Sequence, residues 1–308
     1  MAAKGISLHI GLNRVDQTQY EGWSGDLRAC ESDAACMRAI AQSQNYVASE
    51  SLLTAKATAN AVFGSIKKAA ADLKSGDFFL LTYSGHGGRI PDPEIEGKQV
   101  DTWALYDRMI ISHELYRCWG LFPAGVRIFM LSDSCHSGSM ARTAMIKYLM
   151  TIASTHQQLA RRGVGDPINQ AKLHQLERQG ATLVGEAGID EESQSRGMDP
   201  DQLLAICAAH HKTYDQIFRN NPPALKGEVA ASVLLISGCK DDQTSADGTK
   251  NGLFTAAVLA VWKGGHFSGN YPKFHEDILT LMPDTQQPVY FPVGADSNDW
   301  NTKMPFVP

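Results

Sequence analysis

Two apolar runs of strand length, Asp77 to Thr82 and Val126 to Leu131, each break off into a turn of small and polar residues. The first turn reads Tyr83-Ser84-Gly85-His86-Gly87-Gly88, the second Ser132-Asp133-Ser134-Cys135-His136-Ser137-Gly138. A near-continuous apolar run is what a strand buried on both faces requires, and such strands belong to parallel sheets covered by helices. In open parallel sheets, chemistry gathers beyond the carboxyl ends of the strands. The pattern therefore brings a histidine and a cysteine to one edge of one sheet. That is the pairing of a thiol nucleophile with its base.

The rest of the chain supplies the alternation such a sheet needs. Residues 5–12 read as a first strand. Ser24-Gly25-Asp26 offers caps for a helix with Leu27, Cys30, Ala34, Met37 and Ile40 at helical spacing, to about Gln44. A strand from Tyr46 to Leu53 follows, then a helix from about Thr58 to Leu73, stopped by Gly76. This is βαβαβ. Arg89 to Val100 reads as a polar loop, residues 102–111 as a small hairpin, and Ser112 as the cap of a helix through about Trp119. A helix is expected from Gly138 to about Arg162. Ser232–Ser237 is a further buried strand, with helices from about Gly252 to Lys263 and Pro272 to Leu281. Gln287 to Phe291 reads as an edge strand because of its prolines.

Residues 163–228 thin in apolar content and are broken by Gly163-Val164-Gly165-Asp166-Pro167 and Asn220-Asn221-Pro222-Pro223. They read as a helical, partly mobile insertion over the sheet, within a single domain spanning residues 1–308. The expected fold class is α/β: an α/β/α sandwich of about six mainly parallel strands with helices on both faces.

Bulk properties narrow the function. The formal net charge is −5 and no basic cluster is longer than Lys67-Lys68 or Arg161-Arg162, which argues against nucleic acid. The six cysteines contain no C-x-x-C pair, so neither a disulfide framework nor a zinc site is expected. No apolar stretch approaches membrane-spanning length and no leader pattern precedes the first strand, pointing to a cytoplasmic protein with no membrane partner.

The residues themselves define a chemistry. Gly85, Gly87 and Gly88 free the backbone beside His86 for close approach by a substrate. The amides of Gly87 and Cys135 are placed to meet a developing oxyanion. The bland alternative, a core thiol beside a satisfied turn histidine, has to explain both residues at adjacent strand ends. An α/β-hydrolase is excluded because no G-x-S-x-G elbow is present.

Tyr-Ser-Gly-His-Gly-Gly and Asp-Ser-Cys-His-Ser-Gly resemble the catalytic motifs of metacaspases and orthocaspases, in the caspase-like clan of cysteine peptidases. Leu27 to Ala34 resembles the family's stretch after the first strand, and Ile236 to Asp247 its segment after the fifth. The resemblance implies a caspase-like fold and a dyad with Cys135 as nucleophile and His86 as base and acid. It implies cleavage after Arg or Lys in a protein or peptide substrate, with an S1 pocket at Cys30, Asp33, Ser84 and Asp133. Two carboxylates there would grip a guanidinium and repel an aspartate. It also implies a monomer.

The resemblance is incomplete at calcium. Where relatives carry a run of acids after the hairpin, this chain has Ser112-His113-Glu114. Calcium wants six to eight oxygens, so no cofactor or metal is expected. Asp92, Glu94, Glu96, Asp101 and Asp107 read instead as a solvated acidic loop. The loop from Asp241 to Asp247, with Asp241 and Asp242 as its candidate residues, either touches substrate or a pro-segment or merely caps the next helix. His136 has no assigned role, and His210-His211 reads as a surface pair. Basic residues in or beside the insertion (Arg161, Arg162, Lys172, Arg178, Arg196 and Arg219) are candidates for self-cleavage. The rival reading is a regulatory module that holds basic peptides without cutting them.

Overall fold

The structure is a computed structural model that describes residues 3–135, 180–223, 228–295 and 298–308. The helix expected after Gly138, His136, and the candidates Arg161, Arg162, Lys172 and Arg178 lie outside the described residues.

The central sheet has six strands: β1 (Gly5–Gly11), β2 (Ala48–Leu53), β3 (Phe78–Ser84), β7 (Arg127–Asp133), β9 (Ser232–Ser237) and β11 (Val289–Gly294). Their order is β11-β9-β7-β3-β1-β2, parallel except for β11, which runs antiparallel along β9 at the edge. The chain moves outward from β1 to β2 and then returns to place β3 on the other side of β1. The strand order thus switches between β1 and β3, where open sheets form their crevice. Register is level there: Gly11 pairs with Ser84, and Ser84 with Asp133.

Alternation along β3 explains the two cores. Phe78 and Leu80 face one side with Phe129 and Leu131, under α1 (Cys30–Ser43), α6 (Leu253–Trp262) and α7 (Tyr271–Leu281). Phe79, Leu81 and Tyr83 face the other with Ile128 and Met130, under α2 (Ala59–Asp72) and α3 (Ser112–Trp119). Apolar residues at both parities make a strand buried twice over, and truncating one such side chain to Ala costs about 2–5 kcal/mol.

Several boundaries depart from the sequence reading. Helix α1 starts at Cys30 rather than near Ser24, because the amides of Arg28 and Ala29 donate to the Asp247 carboxylate (2.6 and 3.3 Å) and Glu31 N to Asn13 Oδ1. Ser112 is the first residue of α3, not its cap; Glu114 accepts from the Ile111 amide instead. The expected loop after His86 begins with a strand. β4 (Gly87–Pro91) pairs with β5 (Gln99–Ala104), which pairs with β6 (Met109–Ile111), giving a separate antiparallel sheet of three strands.

The described part of the insertion holds a helical stretch over residues 180–187, β8 (Gln194–Ser195), α4 (Pro200–Ala209) and α5 (His211–Asn220). Leu203, Ile206, Tyr214 and Phe218 of α4 and α5 pack with Ile90, Val100 and Met109, so these helices cover the small sheet rather than the large one. Between the two sheets, the chain from Gln194 to Met198 threads across the ends of β3 and β7.

Candidate active site

His86 and Cys135 each stand two residues beyond the registered pair Ser84–Asp133, on neighbouring parallel strands. The His86 ring is fixed from behind: Nε2 lies 3.2 Å from the Gly25 carbonyl, and Trp23 meets the ring edge-on at 4.7 Å. A carbonyl can only accept, so Nε2 carries the proton and Nδ1 keeps its lone pair. Nδ1 is buried and without a hydrogen-bond partner. Burial drives the imidazole down to about 4, although Asp247 and the Gly25 carbonyl pull the other way. Tyr83, stacked on Trp103, donates from its hydroxyl to the His86 carbonyl (2.7 Å), pinning the turn.

Cys135 is buried, with Sγ accepting from the Ser245 amide and lying 3.4 Å from Thr244 Oγ1. Burial pushes this thiol up, but hydrogen bonds from Cys239, Thr244 and Ser245 outweigh it and leave it below its ordinary value. Cys239 moves the opposite way, pushed up by its contact with Cys135 and by burial.

The neighbouring pocket is filled by the chain itself. Arg196 is 0% exposed, and its guanidinium meets three carboxylates: Nη2 to Asp33 (2.7 Å) and Asp247 (2.8 Å), Nη1 to Asp133 (2.9 Å). Nη1 also donates to Ser84 Oγ at 2.9 Å. Each acid is held by further donors. Asp133 accepts from Ser245 Oγ (2.6 Å) and from the Thr255 amide and hydroxyl (3.0 and 2.7 Å). Asp33 accepts from Ser84 Oγ (2.7 Å), Asn251 (2.9 Å) and the Gly252 amide (3.0 Å), just ahead of α6. Burial raises the Asp33 carboxyl to about 6 against the pull of Arg196. Burial also works against the Arg196 charge, but the surrounding acids hold it above its ordinary value. Cys30 lies behind Ser84 with its buried thiol pushed up by desolvation. Gly252 forms the wall: a Cβ there would sit 2.4 Å from Arg196 Nη1 and 2.5 Å from Asp133 Oδ2.

The backbone around Arg196 is equally engaged. Its carbonyl oxygen accepts from the amides of Gly87 (2.9 Å) and Cys135 (3.4 Å). Its amide donates to the Ser245 carbonyl (3.0 Å), continuing the antiparallel pairing of β8 with β10 (Ala246–Asp247). Downstream, the Met198 amide donates to the Gly87 carbonyl (2.9 Å), and the Met198 side chain is buried against the small sheet. Upstream, Arg28 makes a two-pronged contact with Asp190 (2.6 and 3.0 Å) and a third bond to Ser193.

The structure thus brings His86, Gly87, Cys135, Asp33, Ser84 and Asp133 together around Arg196. Asp247 lies in the loop expected near substrate, but its place in the pocket beside Arg196 was not expected. In the loop after β9, Asp241 and Asp242 had been singled out, but Asp241 turns outward to Arg89 (2.5 Å) and Asp242 is exposed. Thr244, Ser245 and Asp247 of the same loop face the site because β10 is paired with β8. Gln286 braces this loop from the far side, bonding Ser245 Oγ and Ala246 N. Arg219 is exposed, and His210 pairs with Glu21.

The acids near the hairpin have other partners. Glu114 binds Arg108 through both oxygens, Asp101 pairs with Arg89, Asp107 accepts from the Ala59 amide, and Lys98 stands 3.8 Å from Asp92. Among the described residues no group of three or more His, Cys, Asp or Glu side chains is arranged to hold a metal ion. Nor is any helix among them long and apolar enough to cross a membrane.

A family model described as the caspase domain matches residues 15–305. The chain belongs to the caspase-domain family of cysteine peptidases. Metacaspase-1 of Coccidioides immitis is 29% identical over 275 residues, which cover 82% of this chain and 52% of that protein. Metacaspase-1 of Schizosaccharomyces pombe is 24% identical over 279 residues, covering 83% and 58%. The chain therefore spans a little over half the length of these curated relatives. A crystal structure of a Geobacter sulfurreducens protein matches with a TM-score of 0.78 and 36% identity, over 99% of this chain and 98% of that one. In this caspase domain, the sheet edge carrying Cys135 and His86 is the site at issue.

Proposed function

We propose that this caspase domain is an endopeptidase that cuts after Arg or Lys through a Cys135–His86 dyad, with no calcium requirement. The observation that carries the reading is Arg196: its guanidinium lies among Asp33, Asp133 and Asp247 while its carbonyl oxygen faces the amides of Gly87 and Cys135. A residue held this way is in the position of a P1 residue.

The chemistry follows from the atoms around that carbonyl. Sγ of Cys135 attacks the carbonyl carbon, and the charge that develops on oxygen is met by the two amides. Each such donor is worth about 3–4 kcal/mol in the transition state. His86 Nδ1, kept as an acceptor by the Gly25 carbonyl, takes the thiol proton and returns it to the departing amine. The C–N bond breaks and a thioester to Cys135 remains. A water molecule, deprotonated by the same Nδ1, then hydrolyses the thioester and frees the carboxylate and the thiol. A P1 aspartate would set a fourth carboxylate against three, so acidic substrates are refused. Calcium independence is supported by Glu114, Asp101 and Asp107 being engaged by Arg108, Arg89 and a backbone amide.

The test is hydrolysis of fluorogenic peptides ending in Arg, Lys or Asp by protein incubated at neutral pH, with chelator or calcium, and with Cys135→Ala as control. Turnover after Arg and Lys that depends on Cys135 and ignores chelator is the expected result. Turnover after Asp, or turnover surviving Cys135→Ala, overturns the reading. If Arg peptides bind but are not cut, and an Arg-based electrophile leaves no covalent adduct on Cys135, the chain is a binding module.

A further inference from the structure

We propose that the Arg196–Gly197 peptide bond is this chain's own cleavage site, and that the segment from Gln194 to Met198 closes the cleft until that bond is cut. The proposal rests on the endopeptidase reading above and assigns the site its first substrate.

Five contacts place the segment as a substrate rather than as a chance occupant. The Arg196 side chain is fully buried among the three pocket carboxylates. Its carbonyl oxygen lies on the two amides beside the nucleophile. On the amino side, the chain enters extended, Ser195 opposite Ala246 and Gln194 opposite Asp247. On the carboxyl side, Gly197 bridges in parallel to Gly87, and Met198 N bonds the Gly87 carbonyl. The chain is therefore gripped on both sides of one bond, which is what a peptidase needs to hold that bond against its nucleophile. Finally, Ser245 N and Thr244 Oγ1 hold Sγ, and Thr244 Oγ1 also bonds Ser195 Oγ, so the sulfur and the segment share a support.

The step balances without an external reagent other than water. Sγ adds to the Arg196 carbonyl carbon, and its proton passes through His86 to the Gly197 nitrogen. The Arg196–Gly197 bond breaks, leaving Gly197 as a free amine at the head of the segment leading to α4. Water then splits the thioester, regenerating the thiol and giving Arg196 a carboxylate. The cut separates Arg196 from the carboxyl-side grip, the Gly197 bridge and the Met198 amide on Gly87, so the arginine is afterwards held from the amino side and by its own side chain alone. Because nucleophile and bond belong to one molecule, the reaction is first order.

Full-length protein is followed by intact mass and by N-terminal sequencing of any fragment, over a hundredfold range of protein concentration. In parallel, turnover of an Arg fluorogenic peptide is recorded. The expected result is one cut, with a new N-terminus at Gly197, a rate constant independent of concentration, and peptide turnover rising at least tenfold as the cut proceeds. Cys135→Ala stays whole. Gly197→Pro, whose ring crowds the scissile nitrogen and removes its N–H bond to Ser195 Oγ but leaves Arg196 and its acids in place, also stays whole and remains at least tenfold less active on the peptide. Arg196→Lys is cut at the same bond more slowly, and it guards against misfolding in variants that leave the acids unpaired. A chain that stays whole while hydrolysing the Arg peptide through Cys135 overturns this proposal and leaves the endopeptidase reading standing. A whole chain with no turnover sinks both. A cut elsewhere, or a rate proportional to concentration, overturns the assignment of this bond in this molecule.

Discussion

The chain carries two gatherings of acidic residues that look alike on paper and behave differently in the fold. Asp33, Asp133 and Asp247 come from three distant parts of the sequence and converge on one buried guanidinium. Asp92, Asp101, Asp107 and Glu114 lie close together in sequence and disperse, Asp101 and Glu114 to an arginine each, Asp107 to a backbone amide. The first group costs desolvation and recovers it through convergence on one cation and a donor network. The second satisfies its charges locally: Glu114 and Asp92 are buried beside Arg108 and Lys98, while the Asp101–Arg89 pair is partly in water, where an ion pair contributes little. In the proposed reading, recognition belongs to the group whose carboxylates converge on one point.

The largest break in that contrast comes from Asp133→Asn. Removing one partner of a buried, hydrogen-bonded charge pair costs about 2–5 kcal/mol, so kcat/KM for Arg peptides should fall about 30- to 5,000-fold in steady-state assays. Loss of less than threefold would mean Asp133 does not bind P1. Next in size is Gly252→Ala, which puts a methyl group against the tip of a seated arginine. Overpacking of about 1–3 kcal/mol predicts a fall of about 5- to 150-fold on Arg peptides. The effect should be smaller on Lys peptides, whose single nitrogen reaches less far, and equal losses on both would place the wall elsewhere.

A third test uses pH. With Arg196 seated, His86 titrates at about 4, so the self-cleavage rate should climb as pH rises through about 4, as Nδ1 loses its proton. An unperturbed imidazole would put that climb near 6.5. Asp33, raised to about 6, adds a second and smaller rise as it ionises, which Asp33→Asn should remove while leaving the first. A single rise near 6.5 in both proteins would contradict the buried, neutral histidine. The smallest effect belongs to the dispersed acids. Asp101→Asn, or addition of chelator, should change kcat/KM by less than about twofold, as expected for a partly exposed pair.

What the sequence made legible is what lies next to strand ends. His86, Ser84, Asp133 and Cys135 follow runs whose burial is written in their composition, and parallel register carries them together. Asp33 is legible through its resemblance to a known motif. Asp247 was not, because its position depends on β10 pairing with β8, two short segments about fifty residues apart in a register no local pattern sets. Charge alone pointed to Asp241, which answers to Arg89 at the surface. Arg196 was one of several equivalent basic residues; only the path of the insertion between the two sheets distinguishes it. The start of α1 slipped for the same reason, since the residues just ahead of it are held by a carboxylate from far along the chain.

The two-pronged contact of Arg28 with Asp190, six residues ahead of Arg196, has a consequence for any outside substrate. It shortens the leash on the segment in the cleft, and a short leash fixes a local concentration in the millimolar range. A free peptide at micromolar levels meets a competitor that diffusion cannot dilute. Under the proposed self-cleavage, latency is then a matter of tether length more than of intrinsic affinity, and because this leash lies on the amino side of Arg196 it outlasts the cut, so the cleft is open to outside substrate only once the Arg28–Asp190 contact also lets go.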